Sequence, residues 1–173
     1  MDTFEALTHR RSCRKFTDEP VDHEKLARIV EAGQYAPSGM GRQSATFVVV
    51  TDPATIAKLS QMNAQIMGSK ADPFYGGTAV IVVLADTAVP THVEDGSLAM
   101  GNLLNAAYAE GLGSIWIHRA KEEFESEKGK ALLAEWGLPA DGSLRGIGHC
   151  VLGYPAAPAA EPKPRRDNVV WVK

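Results

Sequence analysis

The sequence predicts helices layered on a sheet, of the α/β or α+β class, and three observations carry that expectation. Helix and strand signals alternate along the whole chain instead of segregating. Residues 79–85, AVIVVLA, are apolar on both faces, so that strand must be covered on both sides. Residues 93–110 repeat small and apolar side chains at helical spacing (Leu98, Ala99, Asn102, Leu103, Ala106, Ala107), the pattern of a central buried helix.

A first short helix fits residues 2–9. A second opens after Pro20 with Asp22 as N-cap, puts Leu26, Ile29 and Val30 on one face, and ends before Pro37. Residues 46–51, TFVVVT, are apolar and β-branched and read as a buried strand. Asp52-Pro53 then supplies a cap and a first-turn proline to a helix running towards Met67. Past the strand at 79–85 and the helix at 93–110, which Gly111 closes, residues 114–118 read as a third strand. Residues 121–136 read as an acidic surface helix closed by Gly137, and residues 146–152 as a fourth strand. Pro155, Pro158, Pro162 and Pro164 preclude a helix and make an extended arm. Beyond it residues 169–172, VVWV, form a terminal strand too apolar for solvent and held off its own core by a stiff spacer. Pairing with the sheet of a second copy is the expected solution.

With 173 residues, 45% of them hydrophobic and 23% charged, the chain is expected to form one globular domain over residues 1–173. A chain of this size buries roughly 70% of its unfolded surface, enough for a core without metal or disulfide staples. Cys13 and Cys150 make neither a disulfide framework nor a Cys-x-x-Cys site, so a reducing, cytoplasmic setting is expected. The opening residues show no apolar export segment, and nowhere does an apolar run approach the roughly 20 residues of a membrane helix. A net charge of −3 gives no general attraction to nucleic acid. The distribution says more: Arg10, Arg11, Arg14 and Lys15 cluster near one end, Lys163, Arg165 and Arg166 near the other, and acidic residues fill 122–127. Two basic clusters invite an anionic ligand between them.

Common nucleotide and hydrolase motifs fail. Gly111-Leu112-Gly113 and Gly146-Ile147-Gly148 each lack the third glycine of a dinucleotide fingerprint, which is Trp116 in one and Val151 in the other. There is no Walker loop and no G-x-S-x-G elbow, and the five histidines show no ligand spacing, so no metal is expected. Cys13 has no identifiable base partner. What remains is residues 9–16, HRRSCRKF, where arginine forks and a hydroxyl follow a short helix. These groups make a competent phosphate site, and the cluster taken alone reads equally well as a solvated basic turn.

Four segments together resemble the FMN-dependent nitroreductase family over the length of the chain. The family's opening R-R-S-x-R-x-F is met by Arg10, Arg11, Ser12, Arg14 and Phe16. Its A-P-S-x-x-N-x-Q-P-W is met by Ala36, Pro37, Ser38 and Gln43, and its G-L-G-S-x-W-I by residues 111–117. Its G-Y-P followed by K-P-R is met by Gly153-Tyr154-Pro155 and Lys163-Pro164-Arg165, and residues 72–76, DPFYG, resemble its short-chain members. The resemblance implies an α+β fold with a central mixed sheet flanked by helices, the C-terminal arm exchanged in a homodimer, and two FMN sites at the interface. It implies that Arg10, Ser12 and Arg14, with Lys163 and Arg165, hold the FMN phosphate and ribityl chain, while Arg11 faces the isoalloxazine. Pro37, Ser38 and Gly39 of the second copy would lie against the flavin, with Gln43 in the same loop. His118 and Arg119 would place backbone amides near flavin N5, and Asn63 would meet the pyrimidine edge. Gly41 stands where the family has Asn, and Ser44-Ala45 where it has Pro-Trp, so that loop departs from the pattern, with Arg42 a candidate replacement contact.

The implied chemistry is ping-pong transfer of hydride from NADH or NADPH through FMN to a nitroaromatic, a quinone or a similar small oxidant. No side chain is assigned as nucleophile; Tyr75 and His118 are candidates to orient a substrate, and Arg11 or Lys163 to favour negative charge at N1. The competing readings are other flavin chemistry on this scaffold, such as dehalogenation or flavin fragmentation, a flavin-storage module, and a basic interaction protein without cofactor.

Overall fold

The structure, a computed structural model, describes residues 2–173. Its elements are α1 (Thr3–His9), α2 (His23–Gln34), β1 (Ala45–Val50), α3 (Pro53–Met67), β2 (Ala79–Asp86), α4 (His92–Ala109), β3 (Gly113–Ile117), α5 (Ala120–Glu125), α6 (Glu127–Glu135) and β4 (Leu144–Gly153). Local chemistry sets several boundaries. The Asp52 carboxylate accepts from the Thr55 amide at 2.8 Å ahead of Pro53, and Gly68, left-handed at φ 66°, closes the same helix.

The strands lie in the order β1-β2-β4-β3, every named pair antiparallel. The parallel component of the expected mixed sheet is one isolated bridge, Ser12 to Ser114. β2 is buried from Ala79 to Ala85, as its two-faced apolar pattern demands. Val80, Val82 and Leu84 join a core with α3, α5 and α6, while Ile81 and Val83 join another with α2 and α4. A register shift at Val83/Leu84 lets β4 turn Ile147, Cys150 and Leu152 towards the α4 side and Val151 towards the other.

Three expectations are corrected, and a fourth, the terminal strand, is one that only a second copy could complete. β1 is an edge strand and only partly buried, because one side of it has no neighbour in this chain; Val49 is 43% exposed. Leu98 lies off the buried stripe of α4, which runs through Ala99, Met100, Leu103, Leu104 and Ala107. The acidic helix at 121–136 is two helices, broken where the Ser126 hydroxyl donates to the Glu123 carbonyl (2.6 Å) and accepts from the Gly129 amide (3.1 Å). Nor is it wholly a surface helix: Glu123 is fully buried, 2.7 Å from the equally buried His149. Finally, residues 169–172 adopt no strand in the single chain. A strand exists by pairing, and every residue from Pro155 onward is exposed along an arm that leaves its own sheet. No helix among the described residues is long and apolar enough to cross a membrane.

Candidate functional site

The basic segment is laid along the free edge of β3. After α1 the chain turns at Arg10, Ser12 bridges Ser114, and the Cys13 amide donates to the Ser114 carbonyl at 2.9 Å. Gly113 permits this approach, since a Cβ there would stand 2.7 Å from the Cys13 sulfur and 3.1 Å from the Phe16 ring. Phe16 is buried and bridges Pro155, while the Thr17 amide donates to Tyr154 and the Ala156 amide to Lys15. The root of the C-terminal arm is thereby fixed beside the basic segment.

Two guanidiniums in this segment each keep one buried nitrogen without an acceptor among the described residues. Arg11 donates through Nη1 to the carbonyls of Thr8 (2.8 Å) and Arg10 (2.7 Å), but its Nη2 and the Nη1 of Arg10 are buried without a partner. Burial, and then the adjacent Arg11 charge, pull the Arg10 pKa below its ordinary value. Cys150 lies within reach of the Arg10 charge and does not neutralise it, because burial pushes its thiol up to about 12 and keeps it protonated. The indole Nε1 of Trp116, packed over Gly148 in β4, is a third buried donor without a partner. An anion rich in acceptor oxygens fits this donor set, and a phosphate suits the two guanidiniums best. Ser12 and Arg14 are exposed on the same segment.

At the far end of β3, His118 is exposed and Arg119 takes a left-handed backbone, φ 77°, as N-cap of α5. The fully buried Asn63 of α3 holds both: its Nδ2 donates to the His118 carbonyl at 2.7 Å and its Oδ1 accepts from Arg119 Nε at 2.9 Å. Asn63, expected at the pyrimidine edge, acts in the single chain as a clamp on the 118–119 turn, with its amide oxygen and one amide hydrogen engaged. Tyr75, 39% exposed, projects from a turn whose Asp72 carboxylate accepts from the Phe74 and Gly76 amides, both at 2.8 Å.

Pro37, Ser38 and Gln43 line a cleft of about 660 Å³ between α2, β1 and the start of α4. Gly39 is pinned in that loop: its amide donates to Asp95 Oδ1 at 2.8 Å, and a Cβ on it would run into the Thr91 hydroxyl. Asp95 also accepts from the Ser44 hydroxyl at 2.7 Å and the Thr91 hydroxyl at 3.2 Å. Burial alone pushes the Asp95 carboxyl up, and the Gly39, Ser44 and Thr91 hydrogen bonds, aided by His92, outweigh it and hold the pKa below the ordinary value.

Within one chain these parts do not all meet. Asp95 sits near the start of α4, while the Leu104 carbonyl, nine residues on, accepts from Ser114 beside the basic segment. At 1.5 Å per residue the two ends are separated by roughly 13 Å along the helix. Lys163 and Arg165 lie exposed on the arm, beyond the Phe16–Pro155 bridge that fixes its root beside the basic segment. Asp95 and Thr91 escaped the sequence reading, while Ser44 and Trp116 entered it only as parts of motifs and were assigned no role of their own. The one available signal was an acidic pair, Glu94-Asp95, in the first turn of a helix, where the helix dipole favours it.

Comparison with known proteins bears on this geometry. Residues 7–76 match the family model described as Nitroreductase family. A protein of Archaeoglobus fulgidus carrying the name NADH dehydrogenase/NAD(P)H nitroreductase is 32% identical over 151 residues, 84% of this chain and 81% of that one. Among solved structures, an FMN-dependent nitroreductase from Clostridium difficile is 28% identical, with a TM-score of 0.75 over 95% of this chain and 92% of that one. A nitroreductase with bound FMN from Bacteroides fragilis covers all of both chains at a TM-score of 0.89, a likeness of fold at 22% identity.

Proposed function

The chain belongs to the nitroreductase family, and on that premise we propose that it is an FMN-dependent oxidoreductase that passes hydride from NADH or NADPH to a nitroaromatic, a quinone or a similar small oxidant. The observation that carries the reading is the pair of buried guanidinium donors, Arg10 Nη1 and Arg11 Nη2, which find no acceptor oxygen among the described residues. Bound FMN supplies the hydride chemistry, and the protein supplies position, electrostatics and access.

In this reading Arg10 and Arg11 hold the phosphate, with Ser12 and Arg14 at the exposed rim of the same segment; Arg11 is thereby moved from the isoalloxazine to the phosphate, because its unpartnered Nη2 belongs to a guanidinium adjacent to that of Arg10. The 118–119 turn, fixed by Asn63, presents rigid backbone beside the flavin ring. The loop of Pro37, Ser38 and Gly39 comes from a second copy, because one chain keeps it at the opposite end of α4 from the basic segment. The arm carrying Lys163, Arg165 and the exposed residues 169–172 embraces that copy in return. The unit of function is therefore a homodimer. No side chain acts as a nucleophile, and Tyr75 and His118 orient the acceptor.

Ping-pong kinetics test this. Initial rates with NADPH or NADH varied against menadione or a nitrobenzoate give parallel double-reciprocal lines if one site serves both substrates in turn. Intersecting lines refute the shared site, and FMN-loaded protein that neither coenzyme bleaches without air refutes the oxidoreductase reading.

A further inference from the structure

We propose that Asp95 is the positioning residue of the loop at 37–44, and that Ser44, which stands where the family pattern has proline, is part of that device. The inference rests on the assignment of this loop to the flavin site.

The loop is built from conformations that side chains disfavour. Met40 and Gln43 take left-handed backbones, at φ 55° and φ 50°, around Gly41 at φ 66°. Few contacts of its own hold it: the Gln43 amide donates to Ser38 Oγ at 2.9 Å, and the Gly41 and Arg42 amides close a short 3₁₀ turn on Ser38 and Gly39. Met40 at the tip is 88% exposed. The side chain that ties both ends of the segment to the scaffold is one carboxylate. Asp95, 3% exposed, receives the Gly39 amide on one oxygen and the Ser44 and Thr91 hydroxyls on the other. Gly39 and Ser44 bracket the strained stretch, so a single group on the rigid helix α4 grips both of its ends.

This gives the departure at Ser44 a physical purpose. A proline stiffens such a loop through its own ring and offers no donor, whereas serine fixes it by a hydrogen bond to a buried acceptor. The Ser44 carbonyl in turn accepts from the Asp86 amide at 2.9 Å, so the hold passes directly into the end of β2. In this role Asp95 touches neither flavin nor substrate. It acts by presenting Pro37, Ser38 and Gly39 in one conformation.

The test compares Asp95→Ala, Asp95→Asn and Ser44→Ala in the full chain by amide hydrogen exchange of the peptide spanning 37–45 and by the visible absorption and circular dichroism of bound FMN. Asparagine keeps an acceptor for Gly39 and can donate to the two hydroxyls, so it is the conservative rescue. Asp95→Ala is expected to exchange roughly tenfold faster at Gly39 and to alter the flavin spectrum, with Asp95→Asn close to the parent and Ser44→Ala between them. Unchanged exchange and spectra in Asp95→Ala overturn the proposal, as does Asp95→Asn behaving like the alanine variant. If Asp95→Ala does not fold, Ser44→Ala decides: accelerated exchange confined to the loop supports the device, and parent-like exchange overturns it. Should the parent chain bind no FMN, the flavin assignment fails by itself, while loop exchange still decides whether Asp95 holds the loop.

Discussion

Arg10→Met separates a binding role from a structural one, because the two predict opposite signs. In the flavin-free protein Arg10 is partly buried, crowded by the Arg11 charge and left with an unpartnered Nη1. Methionine keeps much of the length and apolar stem while removing the unpaired donor. An unsatisfied buried donor costs about 1–3 kcal/mol; for a half-buried side chain the low end applies, so flavin-free Arg10→Met should gain about 1 kcal/mol, or roughly 2–4 °C in Tm at this chain length. In the complex the same change deletes a charge-assisted hydrogen bond worth about 1.5–3 kcal/mol, a loss of roughly 10- to 150-fold in FMN affinity. Melting without flavin, with FMN titrated by fluorescence quenching at fixed ionic strength, reads both. A variant that melts lower than the parent and binds FMN equally well refutes the assignment of Arg10 to the phosphate.

Other consequences follow from buried groups. Removing one partner of the His149–Glu123 pair strands the other without solvent, so Glu123→Leu should lose about 3–5 kcal/mol in urea unfolding, and Glu123→Leu with His149→Phe should recover much of it. Cys150, fully buried with its thiol raised to about 12, should ignore a disulfide reagent at pH 8 in the native state while the partly exposed Cys13 reacts, giving one fast thiol per chain of two. The Asp95 carboxyl titrates below its ordinary value in the fold, so its contribution is complete above the ordinary carboxylate range and disappears as pH falls through the folded pKa. Between roughly pH 5 and 2 the parent should therefore lose stability more steeply than Asp95→Asn.

What could be read from the sequence was set by local chemistry. The Asp52-Pro53 start of α3, the two-faced apolar run of β2 and the Gly111 stop of α4 each depend on residues a few positions apart, and each appears as expected. The basic segment and the 111–117 motif also adjoin in space, through the Ser12–Ser114 bridge. Pairings across the chain were not legible. Glu123 looked like one more surface acid because His149 stands 26 positions on, and Asp95 looked like a helix-end charge because Gly39 and Ser44 precede it by more than 50. Nothing local revealed that the Asn63 amide would engage His118 and Arg119, 55 and 56 positions on. The apolar arm was recognised as unfit for solvent, but a single chain holds no partner strand to order it.

The most direct measurement is equilibrium uptake of FMN by the purified chain, with mass determined by light scattering on the same sample. A yellow dimer holding one FMN per chain, released at high salt more readily from Arg10→Met than from the parent, is the predicted result. A colourless protein that takes up no added FMN would contradict the account.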